Sequence, residues 1–163
     1  MLLKGEVLQM INDGKRRLSI KDVIFEVRYA EKTSKIGKRA EIFVWSKDQA
    51  EIVLYPDATP FSVHHELCHA KLFRMGIPLT NTERDFELFP NSDDYMRMIV
   101  IVEWYVNELQ KRVFHEYHTI DKAGTPRPPP FQGLPELPNN KFTTEQIKRI
   151  TEIARGKDEG SNS

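Results

Sequence analysis

Two histidines four residues apart, with a glutamate after the first, stand in the stretch "FSVHHELCHAKLF" at positions 61–73: His65, Glu66 and His69. On a helix, residues at that spacing lie about 40° apart round the axis, so one ion can take both imidazoles. Glu66 falls about 100° from His65, beside the ligand face, where its carboxylate can accept a proton from a water on the ion. This division of work is the chemistry of an H-E-x-x-H zinc site, in which three protein ligands hold the metal and water takes the fourth place. One zinc per chain is therefore expected, with His65 and His69 as two ligands and Glu66 as the catalytic base. His64 points about 120° from the midpoint of that pair and reads as a packing or supporting residue. Cys68, the single cysteine, reads as a buried small hydrophobe.

The third ligand has to come from another part of the chain. A metzincin continuation would need glycine at 72 and histidine at 75, where this chain has Leu72 and Met75. Glu103 does better, because it lies in "MIVIVEWYV", the most apolar stretch of the sequence. An unpaired carboxylate buried there costs several kcal/mol, on the order of what a cation or metal would offset. The competing reading is a plain polar stripe, since Glu103, Asn107 and Gln110 recur on one helix face.

The elements that must carry these residues follow from pattern. Leu3, Val7, Met10 and Ile11 form one face of a helix over residues 2–13, expected to end at Gly14. Three strands are expected at 23–30, 40–46 and 50–55, all rich in β-branched and aromatic residues, the last two forming an antiparallel hairpin. Thr59 suits an N-cap and Pro60 the first helical position, so the H-E-x-x-H segment should be helical and stop near Gly76. Val63, Leu67 and Ala70 make its back apolar and suited to packing on the sheet. A loop with a short helix, "TNTERDFELFPN", should lead to a long, largely buried helix from about 93 to 117 that carries Glu103. Its end, "HEYH" at 115–118, reads as an exposed terminus rather than a second metal site. The fold class is α+β: an N-terminal helix, a small, mostly antiparallel three-stranded sheet, and the active-site and glutamate helices packed on it. Residues 1–123 read as one catalytic domain, 124–142 as a Pro-rich extended segment, 143–156 as a final helix with a capping box, and 157–163 as a disordered tail.

Bulk composition narrows the function. The 24 basic residues balance 24 acidic ones, a net charge of zero that leaves no electrostatic footprint for nucleic acid or an anionic membrane. The N-terminal segment lacks the apolar core of a signal peptide, and a lone cysteine excludes an internal disulfide, so a cytoplasmic location is expected.

"HELCH" followed by "EWYVN" resembles the gluzincin metallopeptidases, and is closest to the minigluzincins and the ImmA/IrrE-like peptidases, whose glutamate helix carries E-x-x-A-N. The likeness covers roughly residues 40–110 and departs from the pattern at Val106, where alanine is usual. It implies that His65, His69 and Glu103 ligate zinc, that Glu66 is the general base or acid, and that Asn107 supports a ligand. It also implies hydrolysis of a peptide or protein bound as an added strand along an edge at 40–46 or 50–55. Oxyanion donors stay open among His115, His118, Tyr95 and Tyr117. The segment 125–156 has two readings, a wrap that docks a final helix, or chain lying in the cleft that keeps a zymogen latent, as the minigluzincin likeness implies. Other classes stay open: a non-catalytic zinc-stabilised binding module, a regulatory protease for one dedicated partner, or a SprT-type protease acting at DNA. The zero net charge weighs against the last.

Overall fold

The computed structural model describes residues 2–46, 48–75, 79 and 92–118, without the side chains of 92–98, 101 and 118. The expected Pro-rich segment, final helix and tail lie outside these residues, as does the short helix expected in "TNTERDFELFPN". In chain order the elements are α1 (Lys4–Arg17), β1 (Ile24–Tyr29), β2 (Ala40–Ser46), β3 (Gln49–Leu54), α2 (Pro60–Arg74), α3 (Ser92–Val113) and the short α4 (His115–His118). The class is α+β. No described helix is long and apolar enough to cross a membrane.

Helix α1 begins where the Glu6 carboxylate accepts from the Leu3 backbone N–H at 3.0 Å. It ends with Lys15, Arg16 and Arg17, whose charges suit the negative end of the helix dipole. Its buried stripe is Val7, Ile11 and Gly14, so the glycine expected to stop the helix lies inside it. The reason is steric. A Cβ on Gly14 would stand 2.4 Å from Leu67 Cδ1 and 3.4 Å from Phe114 Cζ, so only glycine lets α1 approach α2 this closely. The usual cost of glycine in a helix, about 1 kcal/mol relative to alanine, is offset by that contact. Leu67 accordingly faces α1, and α2 is packed by α1, α3 and the sheet together rather than by the sheet alone.

The sheet has the order β1-β3-β2. The expected hairpin is present: β2 and β3 pair antiparallel with Ile42 opposite Ile52, and a bulge falls between Val44 and Ser46. β1, however, pairs with β3 in parallel, Val27 opposite Ile52, so the sheet is mixed rather than mostly antiparallel. Burial explains the order. In β3 Ile52, Val53 and Leu54 are all buried, as a central strand requires, whereas β1 exposes Glu26 and Arg28 and tolerates an edge.

Helix α2 starts as expected. Thr59 caps it: the Ser62 N–H donates to Thr59 Oγ1 at 3.4 Å and the Thr59 N–H to Ser62 Oγ at 3.2 Å, with Pro60 in the first turn. It runs to Arg74 and caps at Met75. Helix α3 is less uniformly buried than its composition implies. Val102, Tyr105, Val106, Leu109 and Gln110 are buried, while Val100, Asn107 and Lys111 face solvent. It also ends earlier, at Val113, whose carbonyl accepts from the Arg17 guanidinium at 3.1 Å. Arg17 pairs with Asp13 and Glu116 as well, and lies 5.6 Å from the centre of the Phe114 ring, tying α1 to the α3–α4 break.

Candidate metal centre

The helices α2 and α3 bring His65, His69 and Glu103 together, each offering a ligand atom within 4.8 Å of the others, and this group could hold a metal ion. Glu103 Oε2 lies 3.1 Å from His65 Nε2, and Glu103 Oε1 lies 3.2 Å from His69 Nε2. The two imidazoles stand edge to face, 4.9 Å between centroids, as i, i+4 neighbours on one helix face should. Glu103 is less buried than an apolar stretch implies, with 37% of its side chain exposed. What singles it out is its convergence with two Nε2 atoms rather than the cost of burial.

Electrostatics follow from the packing. Burial disfavours charge on Glu103, yet the hydrogen bonds from His65 and His69 outweigh it and hold the carboxyl well below the usual range. Burial likewise works against a charged His65, but the Glu103 hydrogen bond and the charges of Glu66 and Glu103 raise its pKa above the ordinary value. Glu66 differs in kind. It is buried on α2, and that burial raises its pKa, with Glu103 adding to the rise and His69, His65 and Lys38 opposing it. A carboxyl poised upward in this way is suited to taking and returning a proton.

The side chain that reaches behind His65 is Gln110, not Asn107. Gln110 is wholly buried, its Oε1 is 3.4 Å from His65 Nδ1, and its amide nitrogen donates to the Phe61 carbonyl at 3.0 Å. Asn107 is exposed. Helix geometry accounts for the difference: seven residues from Glu103 return to within about 20° of it, four residues to only about 40°, and here that extra turn points to solvent. His69 has no equivalent, because its Nδ1 is buried without a hydrogen-bond partner among the described residues.

His64 is a packing residue, stacked on Phe114 with centroids 4.0 Å apart and meeting Tyr117 edge-on at 4.5 Å. Tyr117 thus packs its ring on His64 and is itself exposed. The Tyr95 and His118 side chains lie outside the described ones, and His115 is half-buried on α4 without joining the ligand group. Cys68 is fully buried, and burial, followed by the Glu66 charge, pushes its thiol well above the ordinary range, so it is inert as a nucleophile.

A polar cluster on the sheet has no counterpart in motif reading. Glu41 on β2 takes Lys38 Nζ at 2.8 Å and the Tyr55 hydroxyl at 2.6 Å, spanning the start of one strand and the end of the next. Burial resists charge on Glu41, but these two partners lower its pKa. Only the hairpin register, with Glu41 opposite Val53, would have shown that Tyr55 comes within reach. No family model matches the chain, and no curated protein or solved structure matches it either.

Proposed function

We propose that the protein is a zinc-dependent peptidase of the gluzincin type. The observation that carries this reading is the meeting of two Nε2 atoms with both oxygens of one carboxylate, at 3.1 and 3.2 Å. Zinc bonds of about 2.0–2.1 Å at tetrahedral angles set neighbouring ligand atoms about 3.3 Å apart. The two histidine–carboxylate spacings are close to that, all three ligand atoms fall within 4.8 Å of one another, and nitrogen with oxygen donors is a set that zinc takes. Bound there, zinc would lower the pKa of water to about 7 and polarise a scissile carbonyl. The rest of the work falls to the chain. Glu66 accepts the water proton on its carboxylate and delivers it to the departing amine, and its raised pKa suits both halves of that transfer.

The substrate would add to β2. Of the two hairpin strands, β3 is paired on both sides, whereas β2 has an edge without a partner strand among the described residues and packs against α2. The reducing cytoplasm remains the proposed location, in keeping with one buried, unpaired cysteine.

Zinc content and cleavage of casein or a peptide library, measured for wild type beside Glu66→Gln, test the proposal. One zinc per chain is expected in both, with cleavage by wild type falling by about 10²–10⁴ in the variant. Stoichiometric zinc without cleavage by either protein would favour a zinc-stabilised binding module. Cleavage undiminished by the substitution would refute the role of Glu66.

A further inference from the structure

Resting on the metal site proposed above, we infer that Gln110 is a positioning residue that sets the tautomer and ring orientation of His65, so that Nε2 presents its lone pair to the ion. The orientation of the amide fixes the argument. Phe61 offers a backbone carbonyl, which can only accept, so the NH2 group of Gln110 lies on that side, 3.0 Å away. Oε1 is then the atom 3.4 Å from His65 Nδ1, and because it too can only accept, the hydrogen bond exists only when Nδ1 carries the proton. The remaining nitrogen, Nε2, faces Glu103 Oε2 at 3.1 Å and donates to it in the metal-free chain. With Nδ1 keeping its proton, Nε2 is the nitrogen that gives up a proton and offers its lone pair when an ion binds.

Gln110 is also held rigidly enough to act this way. It is 0% exposed, and Phe61 lies one turn before His65 on the same helix, so the amide spans from a backbone atom of α2 to a ring on α2 while rooted in α3. A histidine ligand whose other nitrogen is hydrogen-bonded is fixed in rotation and made more basic towards metal. The two histidines of this site are unequal in that respect. His65 has Gln110 on its Nδ1, whereas His69 Nδ1 has no hydrogen-bond partner among the described residues, so the polar contact of that ring is the one from its Nε2 to Glu103 Oε1.

The competing role is a structural one, in which Gln110 serves to satisfy the Phe61 carbonyl and to fasten α3 to α2. Two substitutions in the full chain separate the roles. Gln110→Met removes both hydrogen bonds at similar volume. Gln110→Glu keeps an acceptor towards His65 Nδ1 but faces the Phe61 carbonyl with no donor. A positioning role predicts that Zn²⁺ affinity, measured by competition with a chromophoric chelator, falls by about 10–100-fold in Gln110→Met and stays near wild type in Gln110→Glu. Thermal stability of the metal-free proteins should follow the opposite order, with Gln110→Glu the less stable, because a buried carboxylate against a carbonyl is costly. That crossing of the two orders is what a structural role would not produce.

Nitrogen-15 spectra of the zinc-loaded wild type supply a readout that survives even if a variant does not fold. A slowly exchanging proton on His65 Nδ1 supports the inference, and zinc on Nδ1 overturns it. Zn²⁺ binding by Gln110→Met within twofold of wild type, or an equal loss in both variants, also overturns it while leaving the metal site intact. Wild type that takes up no zinc refutes the metal site itself, and the inference with it.

Discussion

Replacing Gly14 by alanine is the sharpest test of how the histidine helix is seated. Judged from α1 alone the change is favourable, since alanine in a helix interior gains about 1 kcal/mol over glycine. The contact with α2 reverses the sign. The new methyl would stand 2.4 Å from Leu67 Cδ1, and Phe114 Cζ at 3.4 Å limits the room on the other side. Leu67 is 0% exposed and cannot swing into solvent, so relief requires a strained rotamer or separation of the helices, at an overpacking cost of about 1–3 kcal/mol. The net expectation is a loss of up to about 2 kcal/mol, read by urea denaturation followed by circular dichroism, with an unchanged m-value. Gly5 provides the internal control, because a Cβ there meets nothing within 4 Å. Gly5→Ala should be neutral or stabilise by up to about 1 kcal/mol. Combining Gly14→Ala with Leu67→Ala should cost less than the sum of the two changes, since the cavity left by one receives the methyl of the other. If Gly14→Ala stabilises as much as Gly5→Ala, the close approach of α1 to α2 is wrong.

Zinc at about one hundred times its Kd should stabilise the folded chain by about 2.7 kcal/mol, a rise in Tm of about 5–11 °C for a domain of this size. Glu103→Gln should lose most of that shift in calorimetry, and retention of all of it would remove Glu103 from the ligand set. In the metal-free chain burial opposes both charges, yet His65 is raised above 6.5 and Glu103 is lowered below 4.5. The His65 contribution to stability is therefore full below pH 6.5 and lost as pH rises through its folded value, while that of Glu103 is present above pH 4.5 and lost as pH falls. Chelator-treated protein should show a stabilising contribution from this pair that peaks between those limits, and Glu103→Gln should flatten it in pH-dependent melts. Tyr55→Phe should cost about 1.5 kcal/mol at neutral pH by removing a hydrogen bond to a charged carboxylate. Because the Glu41 pKa is lowered, the difference from wild type should shrink as pH falls below 4.5, and a constant difference would contradict the hydrogen bond.

Local chemistry was the legible part of this chain. Thr59 and Pro60 mark the start of α2 because a cap and a proline act within one turn, and the same locality makes the β2–β3 hairpin readable from the short gap between the two runs. Glu103 was found by a burial argument that turns out to be only partly apt, since its side chain is about one-third exposed and the convergence with the histidines is what distinguishes it. What resisted reading were relations between elements. Gly14 carries the same local signal whether it ends a helix or admits a neighbour, and only Leu67 decides which. The parallel pairing of β1 with β3 depends on which strand can bear burial on both edges, a property of the assembled sheet. Gln110 and Asn107 were both visible on the glutamate face, but the crossing of α3 over α2 chooses between them.

The sheet order also constrains how the chain can be made. Residues of α1 and β1 emerge during synthesis before their partners exist: Phe25 pairs with Ala50, and Gly14 packs on Leu67. The hairpin can close on its own as it appears, but the parallel edge and the α1 contact must wait until β3 and α2 have followed. Vectorial production thus leaves the amphipathic face of α1 uncovered until the helix bearing both histidines arrives to cover it, so that completion of the N-terminal half and the seating of His65 and His69 belong to one step of assembly.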